Sequence, residues 1–131
     1  MEAVGAKELK TKEFNCISDG QKQRVLLARS IVSNPGILIM DEPTGFLDIG
    51  FKLEFFDVLR ALAREKSIAV LISMHELELV RKVADKVICI DRNNKIDAIG
   101  EPARLLKAEY IEKLFSMEKG KYSEYYGVLR E

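Results

Sequence analysis

No apolar run in this 131-residue chain approaches the roughly 20 residues needed to span a bilayer. The N-terminus, Met1-Glu2-Ala3-Val4-Gly5, lacks a signal-peptide pattern. A membrane would therefore bear on this chain through a partner. Net charge is missing too: Lys plus Arg and Asp plus Glu stand at 21 each, so no field draws in nucleic acid or anionic lipid. Cysteine is scarce, and Cys16 and Cys89 form no CxxC pair, which fits a reduced, cytosolic setting. There is one histidine, His75, and no internal repeat or low-complexity stretch. What remains, 47% hydrophobic and 32% charged residues, reads as a soluble globular domain. A chain of this length buries roughly two-thirds of its unfolded surface.

The segment Met1 to Cys16 is polar with scattered apolar residues, a broken helix and loop. A helix start follows at Ser18-Asp19-Gly20-Gln21, where Ser18 is a good N-cap and Gln21 sits at the capping-box position. That helix runs through Val25, Leu26, Ala28, Arg29 and Ile31 and is stopped by Asn34-Pro35-Gly36. Three short apolar runs come next: Ile37 to Met40, Ile68 to Ser73, and Val87 to Ile90. Runs apolar on both faces suit a parallel sheet covered on both sides. Helices are expected between them, at about 51–65 with Phe55, Phe56, Leu59, Leu62 and Ala63 on one stripe, and at about 76–84. Asn93-Asn94 turns into a weaker strand, 95–99, at an edge. The alternation makes the fold α/β. After Pro102 short helices follow, with Leu106, Ile111, Leu114 and Phe115 apolar and Tyr122, Tyr125 and Tyr126 as tail packing.

Asp41-Glu42 ends the first apolar run, and ligands of open parallel sheets bind beyond the carboxyl ends of strands. One carboxylate there can hold Mg²⁺, usually through water, while the next polarises a water for attack on a phosphoryl group. Taken alone, the pair is a strand ending in a polar turn. The N-terminus of the Ser18 helix offers free N–H groups that suit a phosphate, with Gly20 allowing close approach, although a capped helix alone needs no ligand. His75 follows the second run in the same sense as Asp41-Glu42, so it can reach the same crevice. Asp48, alone, is a turn aspartate.

Order and spacing change this weighing. Ile17-Ser18-Asp19-Gly20-Gln21, Ile37 to Thr44, Leu47-Asp48 and Ser73-Met74-His75 resemble, in sequence, the signature, Walker B, D-loop and H-loop of ATP-binding cassette ATPases. The resemblance covers about residues 1–106. It implies a partial P-loop NTPase sheet of mainly parallel strands flanked by helices. Residues 1–35 would be a remnant of the helical subdomain, 36–100 the C-terminal part of the ATPase core, and 101–131 a helical tail. It further implies Asp41 as the Mg²⁺ position, Glu42 as general base, and His75 as a γ-phosphate contact. Asp48 would lie at a dimer seam, and Ser18, Gly20 and Gln21 in a signature that closes over ATP held by another subunit. Asp19 departs from the commoner glycine, and its carboxylate is expected to turn away from a phosphate. Ser18-Asp19-Gly20-Gln21, Pro43 to Asp48 and His75 to Leu79 look like the ATPases of iron-siderophore, haem and cobalamin importers. Such a subunit lies on the inner face of the plasma membrane, held by permease subunits.

The family's Gly-rich loop GxxxxGK(S/T), its adenine-stacking aromatic and its glutamine loop are not found in the chain. Without the amides and lysine that hold the β- and γ-phosphates, ATP and Mg²⁺ would bind only together with a missing N-terminal half, and the chain alone should be inactive. In the family's sheet, the strand leading into that loop lies between the second and third apolar runs. Its loss leaves two rows of backbone groups unpaired, at about 1–3 kcal/mol for each group that is buried. A complementing N-terminal chain, a swapped homodimer or a rearranged sheet could each answer this, and self-association or a missing partner is favoured. Two further functions fit less closely. One is a non-catalytic module docking on a complete ATPase. The other is the C-terminal lobe of a chromosome-maintenance or DNA-repair head, which Pro43-Thr44, His75 and the lack of heptads before Ile17 argue against.

Overall fold

The computed structural model describes residues 2–127; Met1 and residues 128–131 of the expected tail lie outside the described residues. The chain divides between His75 and Glu76 into two compact units.

In the first unit, the segment expected as broken helix and loop forms three 3-10 turns, Glu2–Val4, Lys7–Leu9 and Phe14–Cys16, which bury Val4 and Leu9. Helix α1 spans Asp19–Ser30. Ser18 Oγ accepts from the Gln21 N–H at 3.3 Å and Gln21 Oε1 accepts from the Ser18 N–H at 3.1 Å, the reciprocal cap that the tetrapeptide predicts. Ser18→Ala removes one half of that pair and should lower stability by about 0.5–2 kcal/mol, read as a shifted urea midpoint at constant slope. Strand β1 (Ile37–Asp41) follows, then helix α2 (Ile49–Lys66), which ends at Ser67 in the left-handed conformation. Strand β2 (Ala69–Ser73) pairs with β1 in parallel, from Ile37 opposite Ala69 to Asp41 opposite Ser73. Phe55, Phe56, Leu59 and Leu62 are buried along the expected stripe of α2, as are Leu27, Ala28 and Ile31 at the end of α1. Arg24 ties the helices to the N-terminal turns: it pairs with Glu54 and donates to the Gly5 carbonyl at 3.4 Å.

The second unit begins with α3 (Leu77–Val83). Strands β3 (Val87–Ile90) and β4 (Ile96–Gly100) then form an antiparallel pair. Asp91 organises the turn between them, its carboxylate accepting from the N–H groups of Asn93 and Lys95 at 2.8 and 2.9 Å. The Lys95 bond holds that carboxyl below the usual aspartate range. Helices α4 (Pro102–Leu105), α5 (Ala108–Leu114) and α6 (Lys121–Tyr126) complete the unit around buried Leu106, Ile111 and Tyr122. Glu112 is also buried, and its Oε1 accepts from the Tyr122 N–H at 3.0 Å, so its carboxylate is used in joining α5 to α6. Of the tyrosines expected as tail packing, Tyr122 is buried and stacks on Tyr126 with ring centres 4.8 Å apart, whereas Tyr125 and Tyr126 are largely exposed.

The described strands form two two-stranded sheets, β1–β2 and β3–β4, so the sheet is interrupted between the second and third apolar runs, where the sequence reading places a missing strand. One feature departs from that reading. The apolar runs, expected to be covered on both faces, each have one open face. Ile37 and Ile39 of β1 are 63% and 71% exposed, beside exposed Leu71 of β2. In the second unit the pairs Ile88–Ile99 and Ile90–Ile96 are likewise exposed. A run apolar on both faces reports the burial its residues are suited to, and the described residues of each unit cover one face. Unpaired edge groups on strands this open can bond to water, so the cost falls on exposed apolar surface rather than on orphaned polar groups.

Candidate functional site

The parallel pairing of β1 and β2 decides the site. Both strands run in one direction, so both carboxyl ends emerge side by side, with Asp41 and Ser73 directly opposite. One residue beyond β1, Glu42 takes a positive φ of 41°, which is uncommon for a residue with a side chain and costs roughly 1–3 kcal/mol. Its N–H donates to both Ser73 O at 3.2 Å and Ser73 Oγ at 3.0 Å. The Ser73 hydroxyl in turn donates to Asp41 Oδ1. Two residues beyond Ser73, His75 Nε2 pairs with Glu42 Oε1. Asp41, Glu42 and His75, singled out separately in the sequence, thus share one mouth. The imidazole is 80% exposed and the Glu42 side chain 46% exposed, so both are open to water and to a ligand.

The remaining predicted residues make a second set of contacts. Asp48 is the N-cap of α2, its Oδ1 accepting from the Phe51 N–H at 3.1 Å. The Phe51 ring lies against Gly20: a β-carbon there would come within 3.1 Å of Phe51 Cδ1. Gly20 is buried, so its missing side chain serves helix packing, where the sequence suggested room for a ligand. Ser18 and Gln21 are occupied in capping each other. Asp19 pairs with Lys22 at 2.9 Å, which engages its carboxylate along the helix surface.

The donor set at the mouth suits Mg²⁺ in part. Mg²⁺ is commonly held by one or two carboxylates together with water and substrate phosphates, and Asp41 supplies one exposed carboxylate. No group of three or more His, Cys, Asp or Glu able to hold a metal occurs among the described residues, so a cation here needs phosphate oxygens or further ligands. Ser73 and Phe51 are the residues the sequence reading missed. Ser73 had a signal, because it closes the second apolar run at the position that Asp41 closes in the first.

Similarity to known proteins agrees with this geometry. A family model described as ABC transporter matches residues 1–45. An uncharacterised ABC transporter ATP-binding protein of Methanocaldococcus jannaschii is 40% identical over 125 residues, 95% of this chain and 43% of the relative. A zinc import ATP-binding protein of Wolbachia pipientis is 34% identical over 76% of this chain and 40% of the relative. Among solved structures, an inward-facing putative metal-chelate type ABC transporter superposes with a TM-score of 0.80 at 29% identity, over 88% of this chain and 47% of that one. The chain spans less than half the length of these proteins. Motif order, strand pairing and these likenesses agree that the chain belongs to the ABC transporter ATPase family.

Proposed function

We propose that the chain is the C-terminal, hydrolysis-bearing part of the ATPase subunit of an ABC importer, and that it turns over ATP only with a P-loop-bearing N-terminal segment. The observation that carries this reading is the convergence of Asp41, Glu42 and His75 at the paired ends of β1 and β2. There Asp41 would hold Mg²⁺ through water, and Glu42 would take a proton from the attacking water. His75 would orient that carboxylate and face the γ-phosphate. Mg²⁺ supplies charge neutralisation on the phosphates when it is bound. Ser18 and Gln21 would present the signature, with Gly20 buried against Phe51 behind them, and Asp48 would be a contact at the seam between two subunits. Residues 1–35 would then belong to the helical subdomain, with the ATPase core following.

The open faces of both sheets support a missing partner, since apolar strand faces of this kind mark surfaces that another element covers. Permease subunits would hold the assembled ATPase at the inner face of the membrane; no helix among the described residues is long and apolar enough to cross it. Substrate choice would rest with those other subunits. The relatives named for zinc import and metal-chelate transport favour a metal or metal chelate as cargo, with iron-siderophore, haem or cobalamin as the narrower reading.

Mixing tests the proposal. The chain alone should release no phosphate from Mg-ATP. Adding a family N-terminal segment that contains GxxxxGK(S/T) should restore turnover. Binding of that segment without turnover would replace the hydrolytic reading with that of a docking module. An in-frame GxxxxGK(S/T) in the genomic DNA upstream of Met1 would identify the segment.

A further inference from the structure

Beyond the acidic pair and the histidine, we propose that Ser73 is a positioning residue of this site. Its hydroxyl fixes the backbone turn that aims Glu42 at His75. The inference rests on the hydrolytic reading for its catalytic consequence, and on geometry alone for the positioning.

At φ 41°, Glu42 sits in a region that side-chain-bearing residues avoid, so surrounding bonds must hold it there. Its carbonyl accepts from the Gly45 N–H at 3.2 Å, its side chain pairs with His75, and the remaining restraint falls on its N–H. That N–H meets two acceptors on one residue, the carbonyl and the hydroxyl of Ser73. The hydroxyl accepts from Glu42 and donates to the Asp41 carboxylate, so a single oxygen joins the two members of the acidic pair. A bond from a hydroxyl to an ionised carboxylate is stronger than a neutral one, and donating its proton to Asp41 leaves the lone pairs of the oxygen facing the Glu42 amide.

The contacts form two rungs between the strand ends. Asp41 to Ser73 continues the backbone ladder of β1 and β2, and Glu42 to His75 lies beyond it. Loss of the hydroxyl leaves the Glu42 N–H with the Ser73 carbonyl alone and breaks the link to Asp41, so the positive φ is held less firmly. Glu42 then relaxes toward ordinary conformations, and its carboxylate leaves the place where an attacking water would stand. Alanine cannot supply the rung. Threonine can, and its β-branch suits a strand position.

Two substitutions in this chain, Ser73→Ala and Ser73→Thr, test the idea with isotope labelling. The backbone carbon shifts of Glu42 report the sign of its φ. Positive-φ shifts are expected in the wild type and in Ser73→Thr, and shifts toward negative φ in Ser73→Ala. Leu38 and Phe55 shifts that stay unchanged show that the fold is kept. Ser73→Ala shifts at Glu42 identical to wild type would overturn the proposal. In the ATPase reconstituted with the P-loop segment, Ser73→Ala should lower kcat by about 10²-fold, the scale of an ångström-size misplacement, with KM for ATP little changed, and Ser73→Thr should restore it. An alanine variant with wild-type kcat would also overturn it. A wild-type mixture without turnover would defeat the hydrolytic reading instead, and the Glu42 shifts would still decide the role of Ser73.

Discussion

Glu42→Gln in the reconstituted ATPase should lower the chemical step by about 10²–10⁴-fold, the usual scale for loss of a general base. Glutamine keeps the size of the side chain and one acceptor oxygen, so the pairing with His75 can persist in altered form while the capacity to accept a proton is lost. Nucleotide affinity should change little if, as proposed, Glu42 acts on water rather than on the phosphates. Single-turnover phosphate release, compared with equilibrium binding of ATP, separates the two quantities. Equal losses in both would mean that Glu42 binds nucleotide, and an unchanged rate would move the base elsewhere.

The second large effect is on stability. Phe55 is only 2% exposed and meets Phe56 edge to face, with ring centres 5.8 Å apart. Phe55→Ala removes buried surface and leaves a cavity in the stripe that α2 contributes to its unit, at a cost of about 3–5 kcal/mol. That is a large share of the roughly 5–15 kcal/mol that holds an ordinary domain. Phe46→Ala is the matched control. Phe46 is 93% exposed in the loop after Glu42, so its removal should stay within about 0.5 kcal/mol. Urea unfolding followed by far-ultraviolet circular dichroism measures both. Equal shifts for the two phenylalanines would contradict the packing described for α2.

What the sequence disclosed divides along physical lines. Local chemistry was legible. The cap of α1 depends on residues three apart, so Ser18 and Gln21 announce it without tertiary information. The end of β2, the four-residue β3 and the Asn93-Asn94 turn are signalled in the same way, by apolar runs and turn residues. The convergence of Asp41, Glu42 and His75 was legible only through the assumption that both runs end in the same direction, which the parallel register bears out.

Contacts that join distant segments were the ones missed. Ser73 meets Asp41 across 32 positions of sequence, so its place at the end of an apolar run marks it while the bond itself needs the strand pairing. Gly20 looked like room for a ligand because glycine at a helix N-terminus often is; only the Phe51 ring, brought there by α2, shows it as a packing contact. The open apolar faces were missed for the opposite reason. Ile37, Ile39 and Leu71 have the composition of a sheet buried on both sides, and composition does not say which chain provides the cover.

A nuclear Overhauser spectrum of the labelled chain shows whether Glu42 and His75 meet at the ends of β1 and β2. The ring protons of His75 should show cross-peaks to the side-chain methylene protons of Glu42, and the β-protons of Ser73 should show them to the Glu42 amide. A His75 ring with no cross-peak to Glu42, in a chain whose β1–β2 cross-strand peaks are intact, would contradict the shared mouth and the function built on it.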